Sequence, residues 1–204
     1  MAIITGHMDL SVESVMALSA MASAYLMAAN GAGLGLDMST WLTLLVSLAL
    51  GGVIGLTNGF LIVRVGLNAF IVTLSAYIGV RGLGLVLTGG RSMFGLPPQF
   101  RWAANADMAG IPVLVLILVT TYLVFHFVLR HTRFGRYIYL IGGNPTAPFR
   151  AGIPVDRILI SVFVLAGLLA AFAGWLLAAR TNGATPNLGV GMLFEAFAAV
   201  VIGG

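Results

Sequence analysis

The 204-residue chain is 60% hydrophobic and 8% charged, with a mean hydropathy of +1.07, against about 25% charged residues in soluble domains. Such a composition excludes a water-soluble fold and predicts an all-α, polytopic membrane helix bundle with about six spanning segments. The net charge of +4 rests on ten basic residues, all arginine, and cysteine is absent, which excludes disulfides and thiolate chemistry. Most of the arginines sit at the ends of apolar runs, where retention of basic loops on the cytoplasmic side accounts for them, so no nucleic-acid partner is expected.

In chain order, the first expected span runs from about Ser11 to Ala29, with Asp9 placed to act as its N-cap and to favour the positive end of the helix dipole. A turn-rich stretch from Asn30 to Asp37 follows, and Ser39 or Thr40 can cap the second span, Trp41 to Val63. Gly51, Gly55 and Gly59 recur there at intervals of four, a spacing that lets two backbones approach closely in lipid. Arg64 closes this span and Asn68 opens the third, which extends to about Thr88 and carries Arg81 in its outer half. A charge at that depth costs a few kcal/mol (roughly 2.5–3.5 by insertion scales) unless it is accommodated. Arg81 is expected either to reach the outer interface, or to face an aqueous path or pair with an acid on another helix.

Gly89 to Gly110 forms a long outer connector, read as a surface lid or interfacial helix with Trp102 at headgroup level. The fourth span, Ile111 to Leu129, returns inward, and its lone His126 has no second ligand at metal spacing. The fifth, Ile158 to Ala179, carries Ala166, Ala170, Gly174 and Ala178 on one face, a second close-packing stripe. A sixth helix begins near Gly191 with Glu195 in its first turns. Both Met1-Ala-Ile-Ile4 and the run after Val200 stop abruptly, so a fragment of a longer membrane protein is expected.

Between the fourth and fifth spans lies the one long polar interval, Arg130 to Arg157, with five arginines against the single acid Asp156. Short basic loops resist translocation, so this interval belongs on the cytoplasmic side. Alternation then gives that side Arg64, Arg130, Arg133, Arg136, Arg150 and Arg157, and gives the outer side Arg91, Arg101 and Arg180. Within the interval, Thr146 to Gly152 can form one or two helical turns, a handle for a soluble partner, with Phe149 as an apolar anchor.

Gly142-Gly-Asn-Pro-Thr-Ala-Pro-Phe-Arg-Ala-Gly-Ile153, after His131-Thr-Arg-Phe-Gly-Arg-Tyr137, resembles the cytoplasmic coupling segment of permease subunits from the ribose, xylose and galactoside class of bacterial ABC importers. Met8-Asp-Leu-Ser-Val12 resembles that family's Gly-Ile-Asp-Leu-Ser-Val-Gly-Ser motif, although His7 and Glu13 stand where it has glycine. Ala69-Phe-Ile-Val-Thr-Leu74 with Arg81-Gly82 is similar to its next helix. Ala184-Thr-Pro-Asn-Leu-Gly-Val-Gly191 and Glu195-Ala-Phe-Ala-Ala-Val-Val-Ile-Gly-Gly204 resemble its late signature, and Pro148 departs from the coupling helix.

The resemblance implies that residues 1–204 are a permease domain truncated at both ends, with residues 131–156 as its coupling segment. It implies a multi-pass subunit of the bacterial inner membrane that carries a monosaccharide. The expected partners are a cytoplasmic ABC ATPase, a second permease subunit, identical or related, and an external sugar-binding protein. ATP and magnesium would bind the ATPase and no cofactor this chain, which has no Gly-x-x-x-x-Gly-Lys phosphate loop and is not expected to be an enzyme. A passive channel, or a permease for another small polar solute such as a nucleoside, is the alternative. The expected ATPase-coupling surface comprises Arg136, Gly142, Gly143, Asn144, Phe149, Arg150 and Gly152, and the expected translocation pathway Asp9, Asn58, Asn68, Thr73, Arg81 and Glu195. Ser75 has suitable chemistry as well. Catalytic and metal-binding residues are not expected.

Overall fold

In the computed structural model, residues 1–28, 33–36, 38–143, 148 and 151–203 are described. Eight helices follow one another among them: α1 Val12–Met27, α2 Thr40–Val63, α3 Ala69–Thr88, α4 Pro98–Asn105, α5 Val113–His131, α6 Arg133–Gly143, α7 Val155–Thr181 and α8 Met192–Gly203. Four of these, α2, α3, α5 and α7, are long and apolar enough to cross a membrane, while α1 and α8 are shorter apolar helices. Among the described residues there are thus four such helices where about six spans were expected; α1, with 16 residues, is shorter than the roughly 20 that a bilayer core requires, and α8 is described over 12.

Local chemistry sets most of the boundaries. Ser39 caps α2 by accepting from Leu42 N, and Asn68 caps α3 by accepting from Phe70 N and Ile71 N through Oδ1. At α1 the expected cap moves by two residues: Ser11, not Asp9, is the N-cap, and it makes no side-chain capping bond. Thr132 alone separates α5 from α6, donating from Oγ1 to Val128 O and accepting from Gly135 N. A side chain at Gly135 would run into the Leu129 carbonyl, so this turn needs glycine.

The core is made by α1, α2 and α7. A Cβ added at Gly51 would collide with the Gly167 carbonyl, and one added at Gly55 with the Phe163 carbonyl. One at Gly59 would press on Ile160 and Phe163. The glycine stripe of α2 thus lies directly on α7, the backbone approach that small residues permit in lipid. On α7 the small residues serve two neighbours, since Gly167 and Ala171 face α2 while Gly174 lies against the backbone of α1 at Met16. Hydrogen bonds reinforce these contacts: Ser19 Oγ donates to Ala171 O at 2.6 Å, Ser23 Oγ and Ser47 Oγ lie 2.9 Å apart, and Trp175 Nε1 donates to Thr43 Oγ1.

At one end of the bundle, Arg64 and Asp156 pair at 3.3 Å, joining the C-cap of α2 to the first turn of α7. Here α6 packs Ile138 and Ile141 onto Ile158, Leu159 and Val162, with Met1, Ala2 and Ile4 against the same cluster. At the other end, the connector folds into strand β1 (Met93–Phe94), α4, and a hairpin of β2 (Asp107–Met108) and β3 (Ile111–Pro112). The strand β1 pairs antiparallel with β4 (Gly183–Ala184) just beyond α7. Phe100 of α4 is fully buried edge-on to Trp175, while Trp102 is 68% exposed. Asn182 holds this junction in the left-handed conformation at φ 55°, accepting from Leu96 N through Oδ1 and from Gly95 N through its carbonyl.

Candidate functional site

The polar residues expected along the pathway separate into two clusters, with two outliers. The first cluster forms where the segment before α1 crosses α2 and α3. Asn58 donates from Nδ2 to Ser11 Oγ at 2.9 Å, and Ser11 in turn donates both its hydroxyl, at 2.6 Å, and its backbone N–H, at 2.9 Å, to Asp9 Oδ1. The Ser11 hydroxyl is therefore polarised in one direction, from amide to carboxylate. Thr73 donates chiefly back to Ala69 O at 2.8 Å and lies 3.4 Å from Met8 O, which brings α3 beside the same segment.

The second cluster is built on Glu13, in the first turn of α1. Arg81 of α3 places Nη2 2.9 Å from Glu13 Oε1, and Tyr77 donates its hydroxyl to the same oxygen at 3.1 Å. The other carboxylate oxygen, Oε2, accepts from the backbone N–H groups of Gly191 and Leu193 at 3.1 and 3.2 Å. These donors open α8, so an acid of α1 occupies the positive end of that helix. Arg81 also stacks over the Tyr77 ring at 5.4 Å, and its Nε is buried without a partner among the described residues. Of the readings open for Arg81, the structure selects pairing with an acid on another helix.

That acid was missed as a site residue, because Glu13 looked only like an interruption of a small-residue motif. The signal was nevertheless present. Once α1 and α3 are apolar, Glu13 and Arg81 are opposite charges on separate helices, and neither is tolerated alone in hydrocarbon. Asn68 is taken up by capping α3, and Glu195 lies exposed on α8; neither joins a cluster.

A cavity of about 790 Å³ opens beside the first cluster, bounded by residues 1–3, Asp9, α5, α7 and α8. Its wall is mostly apolar, with Leu165, Ala166 and Leu169 from α7 and Leu193 and Phe197 from α8. The polar groups on it are Asp9, Thr121, Tyr122, His126 and Tyr139. Ala166, expected on a close-packing face, instead lines this space. A second recess of about 700 Å³ shares His126, Leu129 and Tyr139 and adds Arg130 and Arg136, connecting the cavity region with the basic end of the bundle. Among the described residues, no group of acids and histidines could hold a metal ion.

On the expected coupling surface, Arg136 and Gly143 are exposed on α6, and Gly152 follows at φ 73°. Gly142 is pressed against the Ile4 carbonyl, which ties α6 to the segment leading to Asp9. Asn144, Phe149 and Arg150 lie outside the described residues, as does most of the Thr146–Gly152 turn. The helix α6 itself was not expected, since its glycines suggested a broken run.

Over residues 1–204 the chain matches the family described as branched-chain amino acid transport system / permease component. It is 36% identical to the ribose import permease protein of Escherichia coli K12 over 99% of this chain and 62% of that protein. It is also 36% identical to the L-arabinose ABC transporter permease protein of Azospirillum brasilense, over 98% of this chain and 57% of the relative. The D-allose transport system permease protein of E. coli K12 is 36% identical over 100% of this chain and 60% of its own length. The chain thus spans between 57% and 62% of these relatives. No solved structure matches it significantly.

Proposed function

The chain belongs to this permease family, and we propose that it serves as the membrane-spanning permease of an ATP-driven importer for a monosaccharide in the bacterial inner membrane. The likeness to ribose, arabinose and allose permeases favours a sugar over the amino acids in the family's description. In this reading a second permease subunit completes the path, an external binding protein delivers the sugar, and a separate ATPase holds ATP and magnesium. The whole of residues 1–204 acts as permease domain, with residues 131–156 turned toward the ATPase.

The observation that carries the coupling is the position of α6. Its apolar side shares one cluster with the foot of α7 and with residues 1–4, and its exposed side carries Arg136. A displacement of α6 by a closing ATPase would be passed to α7 and, through the Gly142–Ile4 contact, to the segment that holds Asp9. Packed side chains transmit such movements because interiors are close-packed and yield little. The basic end then faces the cytoplasm, in line with retention of positive loops.

The test is ATP-driven uptake of labelled D-ribose, L-arabinose and D-allose by the assembled transporter in right-side-out vesicles loaded with ATP. Arg136→Glu combined with Arg150→Glu is expected to abolish uptake while the protein stays in the membrane at its normal level. Normal uptake by that variant overturns the coupling role, and flux of the same sugars without ATP or the ATPase identifies a passive channel.

A further inference from the structure

Asp9 is only 7% exposed, yet its carboxylate is half used. Both donors that reach it, the Ser11 hydroxyl and the Ser11 N–H, converge on Oδ1. Among the described residues Oδ2 receives no hydrogen bond, and Asp9 forms part of the wall of the 790 Å³ cavity. On a residue otherwise this enclosed, a carboxylate oxygen with no protein donor that borders a cavity is suited to accept from whatever enters. The second arm of the arrangement fixes its direction. Asn58 donates to the Ser11 hydroxyl, so that hydroxyl must donate to Oδ1, which pins one oxygen and leaves the other to the cavity.

The rest of the wall suits a neutral, hydroxylated ligand with apolar ring faces. Aromatic side chains from three helices, Tyr122 of α5, Tyr139 of α6 and Phe197 of α8, stand around it, and the cationic groups of Arg81 and Arg64 are engaged elsewhere. Binding sites for small molecules have this form, a mostly apolar recess with a few placed polar groups. We propose that the cavity is a sugar-binding station of the permease, in which Asp9 Oδ2 accepts a ligand hydroxyl while Ser11 and Asn58 act as its positioning residues. The proposal rests on the monosaccharide reading above and adds where the sugar sits and which atom receives it.

These 204 residues contain no cysteine, so a reporter thiol placed among them is unique once any cysteine elsewhere in the assembled transporter has been replaced by serine. Ala166→Cys in the full-length permease, assembled with its partners in membrane vesicles, would be alkylated by a small maleimide with and without D-ribose, L-arabinose or D-allose. The transported sugar is expected to slow alkylation at least threefold. With Asp9→Asn added, protection is expected to need at least tenfold more sugar. Asn58→Ala should shift the midpoint less, and a deoxy analogue lacking the bound hydroxyl should protect the Asp9 protein as poorly as the parent sugar protects Asp9→Asn.

Uptake by the transporter without Asp9 changes decides the substrate reading separately. Transport of a sugar without any protection at Ala166→Cys overturns the cavity assignment, and equal protection with and without Asp9→Asn overturns the role of the carboxylate. If Asp9→Asn fails to accumulate, the deoxy series on the Asp9 protein still decides, because analogues that all protect equally exclude a hydroxyl-specific contact. If none of the three sugars is transported, the substrate reading falls and this assignment with it.

Discussion

α1 and α5 are both apolar helices, and the protein uses them in opposite ways. The first is the shorter, carries a glutamate and three serines, and has twelve of its sixteen residues buried. The second is mostly aliphatic and aromatic, has a mean hydropathy of 2.2, and buries none of its residues. In water the more apolar helix would take the core. In a bilayer, lipid solvates large apolar side chains as well as protein does, so helix association is driven by close backbone contact and by hydrogen bonds. Glycine, alanine, serine and paired charges therefore mark the contacts among α1, α2, α3 and α7, while the leucine, valine and phenylalanine of α5 stay unburied.

The strongest challenge to that contrast is Glu13→Ala. It leaves Arg81 buried without its acid and frees the first N–H groups of α8, and breaking such a pair costs about 3–5 kcal/mol. Unfolding in mixed detergent micelles should register the loss, and Glu13→Met with Arg81→Met should recover most of it. Recovery would show that the cost lies in the unpaired charge and not in lost packing.

Next comes Gly174→Val, which forces a branched side chain against the α1 backbone at Met16 and should cost about 1–3 kcal/mol by overpacking. Removing the Ser23–Ser47 contact by Ser23→Ala should cost about 0.6 kcal/mol, the usual size for a hydrogen bond between membrane helices. At the bottom of the scale, Leu123→Ala on α5, where the leucine is 57% exposed and lies outside the cavity wall, should change stability by less than about 0.5 kcal/mol. A larger loss there would reveal a protein partner for α5 and narrow the contrast between the two helices.

A rim pair provides the control for the buried one. Arg64 and Asp156 are about half exposed, and Arg64→Ala should fall within about 0–1 kcal/mol and shrink further with added salt.

The spans were legible because hydropathy, length and caps all act locally. Trp41 to Val63 became Thr40–Val63, and the third span ended at Thr88 as expected, with Asn68 at its cap. The fourth and fifth moved by two or three residues at their ends, to Val113–His131 and Val155–Thr181. The glycine stripe of α2 also announced its own use. The helix α6 did not, because Gly135, Gly142 and Gly143 lower its local propensity and only Ile138 and Ile141, buried on α7, compensate. The pathway residues were legible by type but not by company: Asp9, Asn58 and Thr73 meet around one segment, Arg81 belongs to another cluster, and Asn68 and Glu195 to neither.

By itself the sequence determined that the chain lives in a membrane, roughly where its long helices begin and end, and which end of the bundle is basic. Each of these follows from the free energy of placing a residue in hydrocarbon or water, a property of the residue and its near neighbours. Only the tertiary structure decided that Glu13 meets Arg81 and the start of α8, that Ser11 turns Asp9 toward a cavity, and that α1, not α5, forms the core. Those outcomes depend on which faces pack together, and small residues declare that a face can be approached closely without declaring by whom.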